Sequence, residues 1–284
     1  MKTPELKMTR RRFLGGVSFG ALGGLGYARY YEAERLEIGE AVVPLSGETR
    51  PGLKLLHLSD LHASGVVTID YIERSLLRAL QWRPDVICLT GDFITEKYTR
   101  PRELARALRR LSDAAPCFAT LGNHDGGQWA GEEGNGYGDI QWISEVLREG
   151  GVTLLQNRSA QLYKDGWRLE FVGLGDLWSG HFDPASAFAK MADDSTRVVL
   201  SHNPDTKDLL TEKRWQLMLS GHTHGGQLRV PWLGATPFAP VRDRRFVAGL
   251  HAWNDRWLHV TRGVGSVYGL RINCPPEISF LTLT

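Results

Sequence analysis

Cysteine is scarce in this chain, with three in 284 residues. Cys88, Cys117 and Cys274 lie far apart and form no C-x-x-C pair, which excludes a zinc ribbon and a dithiol redox centre. Cys88 and Cys117 sit inside apolar runs and read as small buried hydrophobes, and an odd count leaves at least one thiol unpaired. An excess of charge is missing as well. Lys+Arg 34 against Asp+Glu 32 gives a net charge of +2, so no bulk field gathers nucleic acid, and no basic stripe interleaved with aromatics marks a single-strand groove. Internal repeats and low-complexity tracts are absent. So is any apolar run of the roughly 20 residues needed to cross a bilayer.

What the N-terminus does hold is Thr9-Arg10-Arg11-Arg12-Phe13-Leu14, the twin-arginine export pattern, followed by a Gly- and Ala-rich apolar run to about Tyr27. Residues 1–31 are therefore expected to be an export leader, cleaved or kept as a membrane anchor. No A-x-A cleavage site precedes Glu32, so both outcomes stay open. Lys2, Lys7 and Arg10 to Arg12 in front of the run direct the remainder of the chain to the outside of the cytoplasm, in a periplasmic or other extracytoplasmic location. Residues 32–52, with Pro and Gly near their end, read as a linker, and 53–284 as one catalytic domain.

From Leu53 onward short apolar runs alternate with helix-period segments, the pattern of an α/β layered domain. Strands are expected at Leu53 to Leu58, Val86 to Leu89 and Cys117 to Leu121, with helices at Ile69 to Trp82, Arg102 to Leu111 and Asp139 to Arg148. From Val152 strands dominate, including Arg197 to Leu200, Trp215 to Leu219, Arg245 to Leu250, Trp257 to Thr261 and Ile278 to Leu283.

The chemistry sits just past these runs. The first is succeeded by Asp60-Leu61-His62, the second by Gly91-Asp92 and the third by Gly122-Asn123-His124-Asp125. Later runs are followed by His202 and by Gly221-His222-Thr223-His224. Residues two apart in extended chain share a side, so each Asp/His or His/His pair can face one point. Ligand sites of open α/β sheets lie beyond the carboxyl ends of strands. Each group alone could be a turn residue or a helix cap. Turn chemistry gives no reason for histidine to recur at these points, and the joint pattern signals a metal site. Imidazole, carboxylate and amide together suit Mn²⁺, Fe or Zn²⁺ better than Ca²⁺ or Mg²⁺.

Asp-x-His, Gly-Asp, Gly-Asn-His-Asp, a lone His and Gly-His-x-His, in that order, resemble the calcineurin-like metallophosphoesterase superfamily from about Leu53 to the C-terminus. Arg262-Gly263-Val264-Gly265 and Arg271-Ile272-Asn273-Cys274-Pro275-Pro276-Glu277-Ile278 look like its twin-arginine-exported bacterial branch. The resemblance implies an α/β fold of two sheets flanked by helices. It implies two divalent ions, one on Asp60, His62, Asp92 and His224, the other on Asp92, Asn123, His202 and His222. Asp92 would bridge, and a hydroxide between the ions would attack phosphorus. By the same resemblance His124 would stabilise the transition state or protonate the leaving oxygen, with Asp125 either orienting His124 or holding the turn.

The expected activity is hydrolysis of phosphate esters, diesters ahead of monoesters. A UDP-diacylglucosamine-type lipid pyrophosphatase is the near alternative, and a non-catalytic scaffold the one from another class. The substrate is thus a phosphate ester, lipid- or nucleotide-linked in the alternative reading. No protein partner is inferred, and membrane association could come through the N-terminus. The Gly-rich stretch Gly126 to Gly138 could cover substrate or be a surface insert. Val230 to Phe238 could wall a leaving group or pack in the core, and Arg262 and Arg271 could touch phosphate.

Overall fold

The computed structural model describes residues 22–45, 51–189, 191, 195–229, 236 and 239–284. The twin-arginine hexapeptide lies outside them, as does most of Val230 to Phe238.

Two six-stranded mixed sheets stack face to face. Strands are β1 (Glu37–Val43), β2 (Leu53–Leu58), β3 (Val86–Thr90), β4 (Cys117–Thr120), β5 (Thr153–Leu154), β6 (Arg158–Lys164), β7 (Trp167–Gly173), β8 (Thr196–Leu200), β9 (Leu217–Ser220), β10 (Gly249–Trp253), β11 (Arg256–Val260) and β12 (Glu277–Leu283). The first sheet runs β1-β12-β2-β3-β4-β5 and the second β10-β11-β9-β8-β7-β6. Within them β2, β3, β4 and β5 are mutually parallel, as are β7, β8, β9 and β11.

Strand alternation sorts side chains between two interfaces. Leu53, Leu55, Val86 and Cys88 face the second sheet, where they meet Leu169, Phe171, Val198 and Leu217, and Phe118 stacks on Phe171 at 4.7 Å. Their neighbours Leu56, Leu58, Ile87 and Leu89 face outward to three helices. These are α1 (Ile69–Leu80), α2 (Pro101–Ser112) and α3 (Gln141–Glu149). The Thr68 hydroxyl caps α1 by accepting from Tyr71 N–H, and Pro101 opens α2 where its missing N–H is not needed. A second outer layer, of short helical turns and loops around Trp215 and Phe246, covers the far face of the second sheet. The layers are helix, sheet, sheet and helix, in one domain.

Two expectations need correction. Residues 37–43, read as linker, form β1, the parallel edge partner of β12. Its half-exposed alternation, with Glu37 and Glu40 in seven residues, hides it among polar sequence. The strand expected at Arg245 to Leu250 begins instead at Gly249, because Asp243 accepts the N–H of Arg245 and turns 244–246 into a 3₁₀ helix. The helical segment at 22–30 docks on the domain: Ala28 is buried and its carbonyl accepts from Arg271 N–H, while Glu32 accepts from Cys274 N–H.

Candidate metal centre

Five parallel strands end on one rim, and there the chain turns sharply. Asp60 and His62 follow β2, Asp92 follows β3, Asn123 follows β4, His202 follows β8, and His222 and His224 follow β9; all seven are buried. The convergence of His222 with His224 is not the extended-chain alternation that the sequence suggests. Asp60, His62, Asp92, His222 and His224 have φ of 54°, 50°, 54°, 68° and 50°. That left-handed conformation costs on the order of 1 kcal/mol or more per residue, and its recurrence at five of seven positions marks a site held open by its surroundings.

The donor atoms fit divalent ions. His62 Nε2 stands 3.1 Å from His224 Nε2 and 3.5 Å from Asp92 Oδ2, and His224 Nε2 stands 3.3 Å from Asp60 Oδ1. Atoms sharing an ion at about 2.1 Å are separated by about 3.0 to 3.4 Å. Donor atoms of all four residues lie within 4.8 Å of one another. Beside them His202 Nε2 is 3.2 Å from Asp92 Oδ2 and 3.2 Å from His222 Nδ1. Asn123 Oδ1 is buried with no hydrogen-bond partner in the protein, an acceptor whose desolvation a cation would offset. Asp92 thus touches both groups.

Electrostatics keep most imidazoles in the ligand form. Burial pushes His62 and His222 down to about 3 and His224 well below its usual value, so all three are neutral at physiological pH. Burial opposes charge on His202 too, but the Asp92 carboxylate outweighs it and raises the ring well above the ordinary histidine value, while Asp92 itself is held well below the carboxylate range. A cation would therefore replace the proton on His202. Burial lifts Asp60 to about 6. His202 Nδ1 donates to the Thr90 carbonyl at 2.7 Å, which leaves Nε2 as the atom facing Asp92.

His124 Nδ1 donates to the Thr95 carbonyl at 2.7 Å, leaving Nε2 to handle a proton. Its ring packs edge-on against His62 and, at 4.4 Å, against Trp129. Asp125 does not orient this ring. Its carboxylate accepts four backbone N–H groups, from Gly122, Asp92, Phe93 and Ile94, and so ties the turn after β4 to the turn after β3. Of the two alternatives only the turn-holding one describes it.

Arg262 and Arg271 also lie elsewhere than on a phosphate. Arg262 pairs with Glu277 at 2.6 Å and Glu37 at 3.1 Å. Arg271, fully buried, donates to the carbonyls of Arg262, Gly263, Gly265 and Cys274. A carbonyl cluster around a buried guanidinium has no sequence signature. All three cysteines are buried free thiols. Two residues that reach the site were not singled out. Trp178, after β7, packs edge-on to His222 at 4.4 Å, and Asp176 accepts the N–H groups of Trp178 and Ser179. The signal available was Gly175-Asp176, one more carboxylate just past a buried strand. The stretch 126–138 contains a helical turn, Gln128–Glu132, which carries Trp129.

This donor set on this fold defines a metal-dependent phosphoesterase, and the calcineurin-like phosphoesterase family matches residues 53–226. The chain belongs to that family. It is 39% identical over 279 residues to phosphodiesterase YaeI of Escherichia coli, covering 97% of this chain and 99% of that protein. It is 32% identical to the uncharacterized metallophosphoesterase YkuE of Bacillus subtilis, covering 98% of each. UDP-2,3-diacylglucosamine pyrophosphatase LpxG of Chlamydia trachomatis is 27% identical, with 81% of this chain and 83% of that protein covered.

Proposed function

We propose that the chain hydrolyses phosphodiesters outside the cytoplasm, with two divalent ions held by Asp60, His62, Asp92 and His224 and by Asp92, Asn123, His202 and His222. The observation that carries this is the buried donor set of paired groups sharing Asp92, next to a histidine whose free Nε2 borders the same cleft. Mn²⁺, Fe or Zn²⁺ suits those donors. When bound, such ions supply Lewis acidity to the phosphoryl oxygens and lower the pKa of water at the site.

The protein's own groups do the rest. Asp92, with Asp125 behind its backbone, sets the spacing of the two donor groups. With Nδ1–H held by the Thr95 carbonyl, His124 in its imidazolium form delivers its Nε2 proton to the departing alkoxide and is left as the neutral ring. Trp129 and Trp178 shield the site from water. Full-length likeness to the E. coli phosphodiesterase supports diesters. So does the cleft, whose described lining carries no Lys or Arg to neutralise the second charge of a monoester. Likeness to LpxG supports a second reading, cleavage of a lipid-linked pyrophosphate.

Metal-loaded protein assayed on bis-p-nitrophenyl phosphate and p-nitrophenyl phosphate tests the first reading, which expects the diester to be the better substrate. Asp92→Asn is expected to lose turnover and metal together; an active Asp92→Asn enzyme would reject the assignment. The twin-arginine hexapeptide supports export. Docking of Ala28 and Glu32 on the domain supports a leader that ends before Ala28 or stays attached. Arg10→Lys with Arg11→Lys is expected to hold the protein in the cytoplasm, and unchanged export would refute that assignment.

A further inference from the structure

The metal centre opens into a cleft of about 380 Å³ whose character differs from the centre itself. Beyond the donor groups and His124, its described walls are mostly apolar, Trp129, Trp178, Leu228, Pro240, Val267 and Tyr268, with Thr223 and Gln227 the uncharged polar exceptions. The two indoles stand 6.4 Å apart with their planes at 40°, one against His124 and the other against His222. They form an apolar jaw that begins at the reacting atoms. Tyr268 is 73% exposed and Trp178 39% exposed. Large aromatic surface left open beside a catalytic centre is the mark of a ligand contact.

The charge of the walls is as informative as their apolarity. Among the described lining residues there is no Lys or Arg. Arg229 and Arg242, the arginines closest in sequence to Leu228 and Pro240, are exposed and do not line the cleft, while Arg262 and Arg271 are committed to Glu277 and Glu37 and to backbone carbonyls. A second phosphate in this cleft would meet no Lys or Arg among the described lining residues, and an unpaired anion against indole and aliphatic walls is costly. Thr223, the polar residue next to His222, spends its hydroxyl on the Val247 carbonyl.

We propose that the jaw of Trp129 and Trp178, continued by Leu228, Val267 and Tyr268, binds an uncharged hydrocarbon group of a diester that carries a single phosphate. The inference rests on the phosphodiesterase reading and narrows it: the substrate has one phosphorus at the metal centre and an apolar alcohol beside it. The same surfaces count against the second reading, since a further phosphate would meet no Lys or Arg among the described lining residues.

Symmetrical competitors test this without regard to which ester group enters the cleft. Binding of dimethyl phosphate, dibutyl phosphate and the P1,P2-dibutyl ester of pyrophosphate to Mn²⁺-loaded protein is read by calorimetry, with turnover of bis-p-nitrophenyl phosphate followed in parallel. Each fully buried methylene is worth about fourfold in affinity, so in an open cleft the dibutyl ester is expected to bind at least about tenfold more tightly than the dimethyl ester. Trp178→Ala and Trp129→Ala are expected to shrink that ratio to about threefold or less, with Trp178→Phe restoring most of it. Tyr268→Ser, at an exposed position that does not threaten folding, is expected to reduce it partway. Equal binding of the two monophosphates, or tighter binding of the pyrophosphate ester, would overturn the inference. Turnover with equal binding would sink the cleft inference alone, whereas a dibutyl preference without turnover of any diester would sink the phosphodiesterase reading and leave the cleft standing.

Discussion

Gly122→Ala is the most discriminating single substitution in this structure, because it alters no ligand and adds one methyl group. A Cβ at position 122 would lie 2.2 Å from Asp92 Oδ1 and 2.7 Å from Asp92 N. Ordinary contact needs more than 3.4 Å, so the Asp92 carboxylate or the whole turn after β3 must move by about an ångström or more. Overpacking of that kind costs about 1–3 kcal/mol, which for a domain of this size lowers the melting temperature by about 2–12 °C, at about 2–4 °C per kcal/mol. The functional loss should be much larger than the loss of stability. Asp92 touches both His62 and His202, so its displacement disturbs both donor groups, and misplacement by about 1 Å at a reacting centre costs on the order of 100-fold in rate. The assay is metal content by elemental analysis together with kcat/KM on bis-p-nitrophenyl phosphate and a thermal melt. Gly65→Ala is the control, since a Cβ there meets nothing within 4 Å. A Gly122→Ala protein with full metal content and undiminished kcat/KM would refute the claim that the turns after β3 and β4 jointly position Asp92.

The same geometry leads to three further outcomes. His124→Ala should keep its metal but lose about 10²- to 10⁴-fold in kcat, with a smaller defect on p-nitrophenyl esters than on alkyl esters because p-nitrophenolate needs little help from a proton; metal loss would reassign His124 as a ligand. Asp125→Asn places its amide NH2 against two of the four N–H groups now facing the carboxylate, so about 3 kcal/mol of stability and part of the metal should go together, and a variant with normal melting and metal would refute the claim that Asp125 holds the two turns together. Metal affinity should fall in acid. Protons on Asp60, whose carboxyl is lifted to about 6, and on His202, raised well above the usual histidine value, compete with the ion. Affinity should then drop by about tenfold or more per pH step below 6, and calorimetry showing a flat profile from pH 5 to 7 would refute it.

Much of the layered fold was legible because its strands announce themselves. Val86–Thr90 and Cys117–Thr120 are buried on both faces and so appear as continuous apolar runs, and α1 and α2 carry strong helical periodicity. β1 escaped because an edge strand that exposes alternate residues must tolerate Glu37 and Glu40, which makes it look like linker. At the metal centre the identities of the donors were readable, since Asp, Asn and His recur where turns do not require them. Their aim was not. Extended alternation suggested that Asp60 and His62 share a side, yet both sit in the left-handed region. Asp125 shows the same limit: its identity is visible beside His124, but whether a carboxylate faces a ring or four backbone amides depends on a turn more than thirty residues away.

The order of residue types along this chain was enough to determine the layered α/β class, the residues gathered at one rim and the family's chemistry, because burial pattern and residue identity are local properties of sequence. Tertiary structure alone decided which nitrogen of each histidine faces inward, which arginines are spent on internal partners, and that Trp129 and Trp178 close on the cleft. Each of those outcomes depends on surfaces from strands distant in sequence meeting at one rim, and no local pattern records such a meeting.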